Sequence, residues 1–314
     1  VGGIGWFADA VKRNVANDQL KGVARSFYLS LRLLPAPMRD AAGLGYLLAR
    51  TSDTLADTPG TAPEARLLCL DWFSRSLAGD EEAPRWPLPV LNALTDPRER
   101  RLLEHTPDLL GWLARLPAAE AALVRGVVSI IISGQKSDIE RFAGADRQHP
   151  AALASDADLE DYTWRVAGCV GRFWTELGFL TLGNGFSSLD APTLTNLGIR
   201  YGKGLQLVNI LRDLPADLAD GRCYLPVPDP HDEGALMDSH AHWLQQACEW
   251  VAAGPRYAET LATRRLRTAT ALPAMIATET LARLRASTWQ QLQQRIKVPR
   301  HRIYLLLAKA VLRA

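Results

Sequence analysis

The chain has 314 residues, 47% of them hydrophobic and 22% charged, enough to bury a large core in one big domain or two smaller ones. Its net charge is only +2, with Lys and Arg spread along the chain, which gives no electrostatic basis for a nucleic-acid partner. The four cysteines (Cys69, Cys169, Cys223 and Cys248) form no C-x-x-C pair and have no His cluster beside them. That argues against zinc and a disulfide framework and for a reducing, cytoplasmic compartment.

In chain order, the start from Val1 to Trp6 is short, glycine-rich and without basic residues, unlike a secretory leader. No uncharged apolar run approaches the ~18 residues that cross a bilayer. YLLARTSDTLAD (Tyr46–Asp57) has helical apolar spacing. Gly79 to Arg98, rich in proline and acid, reads as a surface connection. A helix is predicted over Pro117 to Ile132, a connection at Asp146 to Pro150, and helices over Tyr162 to Leu182 and Leu197 to Leu214. Within the Tyr162 helix, Cys169 reads as a small core residue. Pro226 to Gly234 is a third connection, followed by helices over His240 to Arg267 and Glu279 to Lys297. The tail Ile303 to Val311 is apolar with basic flanks, suited to core packing or to a membrane surface. Alternating strand–helix units are absent, so a single all-α domain over 1–314 is expected, with helices around a central cavity.

Two segments stand out. Tyr46, Arg50, Asp53 and Asp57 fall within roughly 60° of one helical face at ~100° per residue, while Leu44, Leu47, Leu48 and Leu55 cover the other sides. Gln206, Asn209, Asp213 and Asp217 repeat the pattern among Leu205, Leu207, Val208, Ile210 and Leu211. A lone D-x-x-x-D is usually a solvated face. Two such pairs on largely apolar helices suggest stripes that line an internal cavity, where unpaired carboxylates are costly and hard cations relieve them. Mg²⁺ fits, because it is commonly shared between one or two carboxylates and substrate phosphates. Arg50, Arg212 and Arg222 lie beside the acids and suit phosphate oxygens. Arg200 and Lys203 read as ordinary surface cations. Pro215, between Asp213 and Asp217, predicts a kink or an end to the second helix.

With these residues in hand, the chain resembles the squalene/phytoene synthase family from about Arg25 to Tyr304. RSFYLSLRLLP (Arg25–Pro35), YLLARTSDTLAD, YTWRVAGCVG (Tyr162–Gly171) and QLVNILRDLPADLADGRCYLP (Gln206–Pro226) match its motifs in order. The resemblance implies packed helices around a hydrophobic channel with Mg²⁺-diphosphate at its mouth. It implies metal ligation by Asp53, Asp57, Asp213 and Asp217. It assigns diphosphate contact or ordering of the metal shell to Arg50, Gln206, Asn209, Arg212 and Arg222. Ser26, Phe27, Tyr46 and Tyr162 would line the reaction site, with Tyr162 joining the aspartates in catalysis. The small-residue patch beside Tyr162 suits either close approach of a ligand or tight helix packing.

The first motif, D-T-L-A-D, carries Thr54 where phytoene synthases more often have a second acid, and with SFYLSLRLLP and NILRDLPADL it resembles bacterial squalene synthases more than phytoene synthases. That implies two farnesyl diphosphates joined head to head to presqualene diphosphate, then reduced by NADPH to squalene. No Rossmann fingerprint is present. Ile296 to Arg300 loosely resembles the family's nucleotide region and nominates Lys297 and Arg300. The very apolar product makes a peripheral membrane contact plausible for its release. The alternatives are a phytoene or dehydrosqualene synthase, a presqualene diphosphate synthase, a terpene cyclase, and an inactive helical partner protein.

Overall fold

The computed structural model describes residues 31–313, so Ser26 and Phe27 lie outside the described residues. The chain divides into two compact units, Val1–Lys136 and Ser137–Ala314. Both are built of helices. The strands among the described residues are two short parallel segments, β1 (Ala151–Ala152) and β2 (Arg222–Cys223). The all-α expectation holds.

In the first unit, α1 (Ala36–Ala56) packs on α2 (Pro63–Ala78), α4 (Pro97–Glu104) and α5 (Thr106–Leu113). Pro63, Pro97 and Pro107 each sit in the first turn of their helix, where the missing N–H has no helical partner to lose. The Gly79–Arg98 connection is less loose than its composition predicts. It contains α3 (Leu88–Ala93), and Trp86 is buried edge-on against Trp72 and Phe73. The Trp86 indole N–H donates to the Leu103 carbonyl at 2.9 Å. An aromatic with a satisfied N–H holds a proline-rich loop on the core.

The helix predicted to end at Ile132 continues, as α6, over Ala118–Arg141, and the boundary between the units falls within it. By length and composition, α6 is the one helix among the described residues able to cross a membrane. Several of its apolar side chains, such as Val124, Val128 and Ile132, are buried within the protein, as they are in a core helix.

The second unit is organised around α9 (Ala191–Ala219), a helix of 29 residues. It packs against α7 (Asp156–Thr163), a π-helical turn over Trp164–Gly168, α8 (Cys169–Leu182), α10 (Glu233–Val251), α11 (Ala253–Thr260) and α12 (Arg264–Arg285). Of the predicted kink or end at Pro215, the end does not occur, since α9 runs on to Ala219. The helix predicted over His240–Arg267 is three elements. Leu261 is extended and buried, bridging to Ser187, and Thr263 then caps α12 by accepting the Leu266 N–H. The helix predicted over Glu279–Lys297 stops at Arg285. A Thr288/Gln291 capping box starts the short α13 (Trp289–Gln293), and α14 (Arg300–Arg313) ends the described chain.

The VAG-x-VG patch serves helix packing. A Cβ at Gly171 would lie 1.9 Å from the Gly198 carbonyl oxygen, and one at Gly202 would lie 2.3 Å from that of Ala167. Glycine on both sides lets the backbones of α8 and α9 touch.

Candidate active site

In the first unit, nearly every residue of α1 from Ala41 to Ala56 is buried except Tyr46, Ala49, Arg50 and Asp53, and Asp57 caps the exposed end. The stripe is the helix's one open face. The inward polar side chains need few outside partners, because Thr51 and Ser52 return their hydroxyls to the Leu47 and Ala49 carbonyls at 2.9 and 2.8 Å. Thr54 is also buried, at 3% exposure, so the first motif presents two carboxylates on its open face.

Asp53 accepts from the Gln135 amide at 2.5 Å and lies 3.8 Å from Arg50, whose guanidinium also binds Glu99 at 2.5 Å. Desolvation dominates at Asp53 and pushes its carboxyl up to about 6; Arg50 opposes this, and Asp57 adds to it. The side chain keeps 45% of its surface, so solvent moderates the shift while its direction stands. Arg66 closes the end of α1 by donating to the Ala56 carbonyl at 2.7 Å.

In the second unit, Gln206, Asp213 and Asp217 are half-buried along α9 and Asn209 is exposed on the same side. Arg212 clasps Asp213 with two guanidinium nitrogens, one at 3.0 Å. Arg222 reaches Asp217 at 3.8 Å and Asp220 at 3.5 Å. Its placement follows from Gly221, which takes φ +82° just past the helix; a Cβ there would lie 2.6 Å from the Asp146 amide. Glycine is therefore required, and the β1–β2 ladder then fixes Arg222 opposite Ala151. Burial pushes Asp217 up to about 7, with Arg222 opposing and Asp213 and Asp138 adding to it.

Tyr162 stacks on Tyr224 with ring centroids 4.7 Å apart, and the Tyr224 hydroxyl donates to Asp138 at 3.0 Å. Lys203 pairs with Glu160 at 2.8 Å and lies over the Trp250 ring with 13% of its side chain exposed, more enclosed than the surface cation expected. Cys169 is buried, its thiol pushed up to about 12 by burial. Lys297 and Arg300 are exposed.

Sequence reasoning missed Glu99, Gln135, Asp138, Tyr224 and Arg295. Arg295 holds φ +57° and brings its guanidinium to 3.6 Å from Asp213. Tyr224 had a visible signal, since it lies inside the GRCYLP segment already quoted.

Among the described residues, no three His, Cys, Asp or Glu side chains form a ready metal cage. Each acidic face offers two carboxylates and no sulfur or imidazole. That suits a hard, oxygen-seeking ion that takes its other ligands from water and phosphate. The raised pKa values of Asp53 and Asp217 are the mark of carboxylates whose charge the protein alone does not compensate.

The all-α architecture is of the isoprenoid-synthase type. The fold matches the complex of TcSQS with the ligand BPH1237 at TM-score 0.77 and 22% identity, covering 96% of this chain and 86% of that one. The chain belongs to the squalene/phytoene synthase family, whose model matches residues 20–302. That family comprises head-to-head prenyltransferases. The chain is 29% identical over 222 residues to a bifunctional lycopene cyclase/phytoene synthase of Phaeosphaeria nodorum, covering 70% of this chain and 35% of that protein. It is 28% identical over 215 residues to a presqualene diphosphate synthase of Zymomonas mobilis, covering 68% of this chain and 60% of that protein. The chain thus spans about a third of the length of the first relative and less than two thirds of the second.

Proposed function

We propose that the protein joins two molecules of farnesyl diphosphate head to head in a Mg²⁺-dependent reaction giving presqualene diphosphate, and then reduces this with NADPH to squalene. The observation that carries the reading is the pair of hub helices, each with a face bearing two aspartates and flanking guanidinium groups. When bound, Mg²⁺ would neutralise charge on the departing diphosphate. Asp53 and Asp57 would hold it on one helix, Asp213 and Asp217 on the other. Arg50, Arg212 and Arg222 would meet phosphate oxygens, with Gln206 and Asn209 ordering the shell. Tyr162, stacked on Tyr224, supplies a flat π surface suited to a carbocation and a phenol near its proton traffic. The buried Thr54 supports the squalene branch, because the first motif lacks the additional acid common in phytoene synthases.

Lys297 and Arg300 are assigned to the nucleotide. The exposed side chains of Tyr304, Leu305 and Leu312 on α14, with Arg300 and Lys309 beside them, favour a membrane contact for product release.

A second reading stops at presqualene diphosphate, and the Zymomonas mobilis relative favours it. Incubation with farnesyl diphosphate and Mg²⁺, with and without NADPH, tests both. Squalene appearing only with NADPH is the expected result. Presqualene diphosphate under both conditions selects the second reading. Phytoene-type conjugated hydrocarbon under both, or turnover in excess EDTA, overturns the proposal.

A further inference from the structure

Pro215 sits within α9, between Asp213 and Asp217, and has no N–H to donate to the carbonyl of Leu211 four residues earlier. That missing bond belongs to the very turn that must carry the two aspartates on one face. Leu211 is fully buried, so water is a poor substitute. The structure supplies a replacement from another helix. His240 on α10, itself only 3% exposed, places Nε2 3.3 Å from the Leu211 oxygen. A carbonyl oxygen only accepts, so Nε2 carries the hydrogen and donates.

We infer that His240 is a positioning residue for the second aspartate pair, replacing across the helix interface the backbone bond that Pro215 removes. The inference rests on reading Asp213 and Asp217 as ligands of Mg²⁺-diphosphate. It explains why α9 continues to Ala219 through a proline and why Asp217 stays within reach of Arg222. It also makes a sharp statement about two residues 25 positions apart. If residue 215 had an N–H, the imidazole would be dispensable.

Four variants test this: His240→Phe, which keeps a ring without the donor; His240→Gln, which keeps an amide donor; Pro215→Ala; and the double variant Pro215→Ala/His240→Phe. The readout is calorimetric binding of Mg²⁺ with inorganic diphosphate, well below the melting temperature, where a purely structural role would not move affinity. His240→Phe should weaken binding about tenfold, the effect of an unsatisfied buried acceptor. His240→Gln should stay within about threefold of wild type, and the double variant should return to that range. Equal binding by wild type and His240→Phe overturns the inference. So does a loss that persists undiminished in the Pro215→Ala background. If His240→Phe does not fold, the double variant decides: folding and binding support the strut, and failure to fold overturns it. A wild-type protein that binds no Mg²⁺-diphosphate overturns the metal reading, which is distinguishable from wild-type binding that His240→Phe leaves intact.

Discussion

Asp53 and Asp217 are held in a condition that an isolated carboxylate avoids, half out of water and with less positive charge nearby than their burial demands. Their folded-state pKa values, about 6 and about 7, lie above the ordinary 3.8. Between these values the folded protein keeps protons that the unfolded chain has released. Metal-free stability should therefore fall as pH rises from about 4 towards about 7, then level off, with Asp217 alone contributing on the order of 1–3 kcal/mol. Thermal melts in EDTA across that range check the sign, and Mg²⁺ with diphosphate at pH 7.5 should restore the lost stability. Replacing Asp53 or Asp213 with Ala should cut product formation more than about tenfold, over 1.4 kcal/mol in the barrier, while the fold holds. Either variant retaining a tenth of the wild-type rate would remove that residue from the principal ligands. At this scale the sequence was most readable where spacing within one helix carried the information, as in the Asp53 and Asp213 stripes. Gln135 was invisible because it meets Asp53 from 82 residues away. Tyr224 lay in a quoted motif, but its stacking on Tyr162 exists only once the chain has folded back.

At the level of elements, the contact between α8 and α9 tolerates no added side chain at Gly171, where a Cβ would lie 1.9 Å from the Gly198 carbonyl oxygen. Two helix backbones meet there with no side chain between them, so Gly171→Ala should destabilise by about 3 kcal/mol or drive misfolding. The same change at Gly126, inside α6 where an added Cβ meets nothing within 4 Å, should stabilise by about 0.5–1 kcal/mol. Comparing the two by chemical denaturation separates packing from the general effect of Gly→Ala in a helix. Sequence periodicity located α6 and α9 but not their ends. It ran α10, α11 and α12 together, because the apolar repeat continues through Leu261 while the backbone there turns extended to meet Ser187. The VAG-x-VG patch could be read alone as a ligand approach. Its partner glycines, Gly198 and Gly202, sit in a helix whose pairing the sequence does not announce.

Over the whole molecule, each compact unit packs several of its helices around one hub helix, and in both units that hub carries an aspartate pair. The fold class was legible because helical spacing recurs along the chain. The division of labour between hubs was not, since burial on all sides but one is a property of the packed unit. The β1–β2 ladder has a further consequence. Ala151 donates its N–H to the Gly221 carbonyl at 3.0 Å, directly beside Arg222. Ala151→Pro would remove that donor, and we expect it to weaken diphosphate binding roughly tenfold, as loss of Arg222 itself would, without touching a charged group. Binding of inorganic diphosphate with Mg²⁺ measures both variants, and an Ala151→Pro protein that binds like wild type refutes the link. A survey of natural variation would therefore find an apparent active-site lesion at a small, chemically inert alanine, in a short strand some seventy residues upstream of the arginine it disables.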